Sequence, residues 1–231
     1  METETETLIR GLADRSHTVR PLARPWVRTA AWLGVAVPSA LVVVMMSVHG
    51  DWASRLLIRR VVSEEIFALA TGTLAAVAAF ASVVPGYDRR VLFLPLVPLV
   101  LWLGGLGQSG VRAWLQLTSH GFSMQAEWVC LPATVMAGAV PAIAMAVMLR
   151  RGAPLTPRRS ALLGGLAAAG LGNLGVCVTH HAYGNVLVPV WHVAIVIAVT
   201  VMVGAAGRHV LNWQSVFERA GRVRAHSSHI T

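Results

Sequence analysis

The chain has 231 residues, of which 55% are apolar and 13% charged, with a formal net charge of +9. That is too apolar for a soluble domain of this length and too poor in charge to cover its surface. All 19 basic residues are Arg and most border apolar runs, so they read as membrane-flanking charges with no direct nucleic-acid role, and two cysteines are too few for a disulfide scaffold.

Residues 1–28 form a polar, Arg-bearing amino tail. Thr3 and Glu6 have capping-box spacing, and Leu8, Ile9, Leu12 and Ala13 recur at helical spacing. A helix this short is marginal alone, so propensity by itself favours a disordered tail. The functional reading is a peptide that folds onto a partner through Leu8, Ile9 and Leu12.

Residues 29–207 read as an all-α, six-helix membrane domain. Its spans are expected at about 30–48, 66–85, 91–106, 128–149, 161–178 and 186–206. Each is an apolar run near the length that crosses a core of ~30 Å at 1.5 Å per residue. The first is no cleavable signal, since a long tail precedes it and no small-x-small site follows. Pro38 inside it is tolerated in a membrane helix. Between the first two spans, Trp52, Leu56 and Val61 suit the membrane surface. A short basic loop with Arg89 and Arg90 precedes the third span, which carries Pro95 and Pro98. A longer loop is expected from about Gly107 to Ala126, holding Arg112, Trp114 and His120 before Glu127. Residues 208–231 form the carboxyl tail, where Val210, Trp213, Phe217, Ala220 and Val223 have the spacing of a surface helix.

With six spans, the two tails and the second and fourth loops share one side and hold 15 of the 19 arginines. The positive-inside rule puts both termini in the cytoplasm. Cys130, Cys177, His120, His180, His181 and Glu127 then face outside, where thiols meet oxidants and external metal ions.

Cys130, Thr134 and Gly138 form one small-residue stripe, and Gly165, Ala169, Asn173 and Cys177 another. Membrane helices approach closely along such stripes. Both cysteines are therefore either small packing residues or members of a shared sensing site. His192 lies within an apolar run and needs an internal partner. Cys130, Cys177, His181 and His192 together have donors that suit zinc or another transition metal, although their spacing matches no compact zinc motif.

Several stretches carry a family resemblance. They are TETLIRGLA and VRPLARP in the tail, EEIFALATGTLAAVAAFASVVPG, LPLVPLVLWL, EWVCLP, LRRGAPLTPRRSALLGGLAAAGLG and VPVWH. The chain resembles the NrsF-type anti-sigma factors, six-helix inner-membrane proteins that restrain extracytoplasmic-function sigma factors. The resemblance runs to about Trp213; the extension beyond is longer than the family pattern requires. It implies that the amino tail holds the sigma factor, and that Cys130 and Cys177 match outward-facing cysteines associated with sensing.

The expected function is that of a non-enzymatic membrane anti-sigma factor. A stimulus at the outer Cys/His cluster shifts the last three spans and weakens the tail's grip. A small transporter or channel, for instance for a metal, is the alternative, but the spans hold almost no ionisable residue apart from His192 near the outer end, whereas substrate pathways usually place such groups at the midplane. A membrane enzyme would need a nucleophile–base constellation or paired carboxylates, and neither is visible.

Overall fold

Residues 4–14, 22–47, 59–117, 130–152, 156–174 and 187–210 are described by a computed structural model and are helical almost throughout. They form seven α-helices: α1 (Glu4–Asp14), α2 (Pro25–Ser47), α3 (Arg59–Ala81), α4 (Leu96–Leu117), α5 (Cys130–Arg150), α6 (Pro157–Gly172) and α7 (Leu187–Val210). A single 3-10 turn, η1 (Arg89–Phe93), leads into α4, and no strand occurs among the described residues. The all-helical class expected from the apolar runs is the one observed.

The bundle is built around α6. Eight of its sixteen residues are Gly or Ala. Almost every residue from Ser160 to Gly172 is buried or half-buried, because α3, α5 and α7 pack against it and α2 touches it. Small residues make this position possible, since they let four neighbours approach one backbone. At the closest approach, a Cβ built on Gly170 would lie 3.0 Å from the Ala68 carbonyl oxygen and from the Gly72 amide nitrogen of α3.

The outer helices show the reverse distribution. Along α2, Arg28, Trp32, Ala36 and Ala40 are buried at a spacing of four, while Leu41, Val42, Met45 and Met46 are exposed. Spacing by four keeps one helix face inward. An outward face this apolar fits lipid rather than water. Three described stretches are long and apolar enough to cross a membrane: Pro25–Met46, Val62–Ala81 and Arg89–Arg112. Two shorter apolar stretches, Val135–Arg150 and Val193–Gly207, belong to α5 and α7. Of the six spans expected, three thus reach spanning length among the described residues.

Several boundaries differ from the sequence expectation. The helix α2 starts at Pro25, so residues 25–28, assigned above to the tail, are its first turn. Proline suits that position, where its missing N–H is not needed. The second span begins earlier and ends at Ala81, where a turn closes through Val84 N–H to the Ala81 carbonyl (3.0 Å) and Gly86 adopts φ +78°. The third span does not run unbroken from residue 91. Asp88 caps η1 by accepting from the Arg90 amide (2.9 Å), and α4 begins only after Pro95. Pro95 and Pro98 fall where a helix needs no donors. The loop expected from about Gly107 is helical to Leu117. Its Gly107 and Gly110 read as loop formers, yet they continue a helix already anchored by buried Trp102 and Leu106 against α3 and α7.

The helices alternate in direction. One end of the bundle gathers the start of α2, the end of α3, η1, the end of α5, the start of α6 and the end of α7. Ser82 and Ser160 share a hydrogen bond there (2.7 Å), and Gly207 abuts Pro157 and Ala161. Arg24, Arg28, Arg89, Arg90, Arg150, Arg151, Arg158 and Arg159 all belong to this end. The arginine asymmetry seen along the chain is therefore also an asymmetry in space.

Candidate functional site

The tail supplies the first candidate. Residues Glu4–Asp14 form α1, with Glu4 and Glu6 in its first turn, where acids oppose the positive end of the helix dipole. Leu8 is 64% and Ile9 60% exposed, and they stand side by side on a helix otherwise rich in polar residues. Two large apolar side chains in solvent on an amphipathic helix are a surface suited to a groove on a partner. Leu12 lies on the same helix, one turn beyond Leu8 and Ile9.

The second feature is the arginine-bearing end, entered by α2 directly after the tail. Arg28 is buried there, only 7% exposed. Its Nη2 donates to the backbone carbonyl of Met148 near the end of α5, and its guanidinium lies 4.5 Å from the centroid of the Phe80 ring. Its Nη1 is buried without a hydrogen-bond partner among the described residues. Burying a charge costs several kcal/mol unless it is compensated. Here the compensation comes from the C-terminal end of α5, which carries roughly half a negative charge, and from the face of an aromatic ring, worth about 1–2 kcal/mol. One turn along, Trp32 Nε1 donates to the Pro141 carbonyl of α5 (2.9 Å). Sequence reasoning counted Arg28 among the tail arginines. The signal available was its place at the head of the Trp32, Ala36, Ala40 spacing.

The third candidate was the outer-face cluster. Cys130 is the first residue of α5 and His192 lies in the second turn of α7. Cys177, His120, His180, His181 and Glu127 lie outside the described residues, as do the side chains of Cys130 and His192 and the carboxyl tail beyond Val210. Among the described residues no group of three His, Cys, Asp or Glu gathers.

The two small-residue stripes can be followed part-way. On α5, a Cβ on Gly138 would meet the Ala168 carbonyl and Gly172 of α6 at 3.6 and 3.7 Å. On α6, a Cβ on Gly165 would meet Val203 and Thr200 of α7 at 3.0 and 3.3 Å. The Gly138 stripe thus packs on the Ala168 side of α6, and the Gly165 stripe on α7. They border one apolar cleft of about 170 Å³, lined by Gly138, Ala168, Ala169, Asn173 and Val196 among others, without facing each other directly.

The family model described as NrsF, negative regulator of sigma F, matches residues 12–213. The chain belongs to the NrsF family. The match takes in the whole bundle from α2 to α7 and ends at Trp213, where the sequence resemblance also ended. Membership makes the chain a negative regulator whose partner is a sigma factor, and a regulator family accords with a non-enzymatic protein. Within α1 the match begins at Leu12, so Leu8 and Ile9 precede it. No curated protein and no solved structure matches the chain.

Proposed function

We propose that this NrsF-family protein is a membrane-bound anti-sigma factor that sequesters an extracytoplasmic-function sigma factor through α1. The apolar pair Leu8 and Ile9, held in solvent on a helix that leads into an apolar bundle, is the observation that carries the reading. Leu12 completes the gripping face. The bundle anchors the complex to the bilayer of the bacterial inner membrane and so holds the sigma factor away from RNA polymerase. Capture of one sigma factor by the full-length protein in detergent or nanodiscs, and failure of the chain lacking residues 1–14 to capture it, is the direct test.

The orientation proposed has six passes with both termini in the cytoplasm. It is supported by the gathering of arginines at the bundle end that carries the tail. Reporter fusions after Arg151 and after His181 are expected to report cytoplasm and exterior respectively. The reverse pattern would invert the topology and remove outside sensing with it.

The stimulus is proposed to act at the outer ends of α5 and α6, through Cys130 and Cys177. The bridge is either a disulfide or a transition-metal ion such as zinc, with His181 and His192 as the further ligands. A disulfide requires Cα atoms about 4.4–6.8 Å apart, and a metal site requires deprotonated ligands. In both versions the stimulus must favour one packing of the bundle over another, since equal binding to both transmits nothing. Cys130→Ser and Cys177→Ser are each expected to abolish release of the sigma factor without reducing membrane insertion, and the double mutant should match the singles. Normal release in the double mutant would reduce both residues to packing at a helix contact.

A further inference from the structure

The amino-terminal tail is joined to the bundle at α2, and one side chain fastens that joint. The last turn of α5 leaves its final carbonyls without helical donors. The Arg151 amide takes the Val147 carbonyl and the Gly152 amide takes that of Leu149 (3.0 Å). The Met148 carbonyl would ordinarily receive the Gly152 amide, and it receives Arg28 Nη2 instead. A residue in the first turn of α2 therefore caps the C-terminus of α5. Its positive charge sits at the negative end of that helix, with Phe80 of α3 beneath the guanidinium. The buried Nη1 has no hydrogen-bond partner among the described residues, so Met148 supplies the one hydrogen bond of the guanidinium there. Among the described residues, Arg28 makes no ion pair with any carboxylate.

We propose that Arg28 is the coupling residue of this protein: by capping α5 it ties the root of the tail to the α5 end, and a displacement of that end is passed to the tail through it. Arg28 acts here as a positioning residue. The sliding of α5 would present the Met148 carbonyl differently, and the half-satisfied guanidinium would follow it or let go. In either case the start of α2, only a short linker away from α1, changes its freedom. The consequence for sigma-factor release rests on the function proposed above; the coupling itself does not.

The turn that follows α5 offers a way to displace it without any stimulus. A Cβ at Gly152 would lie 2.3 Å from Val83 Cγ1 of the chain segment after α3. Gly152→Val puts two further methyl groups on that carbon, more than a rotation of Val83 absorbs, so the turn must move. The exposed position 22, just before α2, takes p-acetylphenylalanine carrying a ketone-reactive spin label, which leaves both native cysteines untouched. The full-length protein in lipid nanodiscs is then read by electron paramagnetic resonance, with no sigma factor present.

Arg28→Met is expected to shorten the label's rotational correlation time several-fold, and Gly152→Val to do so as well. The double mutant should resemble Arg28→Met alone, because the path from the turn to the tail is already cut. Arg28→Gln replaces the Met variant if the latter does not insert. Equal and additive effects of the two substitutions would overturn the proposal, as would a label unaffected by loss of Arg28. A label indifferent to Gly152→Val in the chain that keeps Arg28 overturns it as well, whatever becomes of the Arg28 variants. Sigma-factor capture plays no part in this readout, so a failure of α1 as the binding segment and a failure of the coupling give different results.

Discussion

Leu8→Asp combined with Leu12→Asp is expected to release the sigma factor from the membrane while the protein itself stays there. Leu8 is 64% exposed, and among the described residues no α1 side chain belongs to either buried apolar cluster. Burying a leucine at an interface is worth roughly 1.5–3 kcal/mol, so the loss of two weakens binding by well over tenfold at about 1.4 kcal/mol per decade. A carboxylate in an apolar groove adds a desolvation cost in the same direction. Membrane insertion should not change, since the helices long and apolar enough to cross a membrane begin at Pro25. The measurement is the dissociation constant of the purified full-length protein for its sigma factor, set beside the membrane fraction of the mutant. Unchanged affinity would remove this face of α1 from the mechanism and direct attention to the arginine-bearing end.

Gly170→Val is expected to open the bundle where the backbones of α3 and α6 approach closely. A Cβ there would already stand 3.0 Å from two backbone atoms of Gly72 and from the Ala68 carbonyl oxygen. Backbone cannot rotate aside as a flexible side chain can, so α3 and α6 must separate and lose the contacts that surround them. Overpacking of a core costs about 1–3 kcal/mol, occasionally more, and at 2–4 °C per kcal/mol a protein of this size should melt about 2–12 °C lower or fail to purify as a single species. Gly104→Ala is the matched control. Nothing lies within 4 Å of a Cβ at that position of α4, so the change should be neutral or stabilising by about 0.5–1 kcal/mol through helix propensity. Thermal melts of the two variants in the same detergent test the contrast. Equal melting would mean that the α3–α6 approach is looser than its glycines imply.

Which stretches are helical, and where small residues lie along them, could be read in the chain. Propensity favoured a disordered tail, whereas Glu4–Asp14 form α1, and the helical spacing that suggested an apolar face leaves Leu8 and Ile9 exposed on it. The arginine count along the loops corresponds to one end of the bundle. The small residues of Gly165 and Gly138 marked close helix contacts, and both positions do meet neighbouring backbone or Cβ atoms within 4 Å. What the chain did not disclose was the partner of each face. The Gly165 side of α6 meets α7, whereas Gly138 of α5 meets the Ala168 side, about a sixth of a turn away.

Arg28 shows the same limit in a charged residue. Along the chain it is the last of five tail arginines, and only its place at the head of the Trp32, Ala36, Ala40 spacing separates it from Arg24. In the bundle Arg24 stacks on exposed Trp26 while Arg28 is buried against Phe80 and the end of α5. The two acceptors that decide this, Met148 and the ring of Phe80, lie 120 and 52 positions away.

By itself, then, the sequence determined the helical class and the charged end, because each depends on composition or on a period of 3.6 residues, while its motifs carried the family resemblance. The tertiary structure alone decided that α6 is the central helix, that α4 continues through its glycines, and that one arginine caps another helix. Those outcomes depend on which surfaces meet, and periodicity specifies a helix face without naming its neighbour.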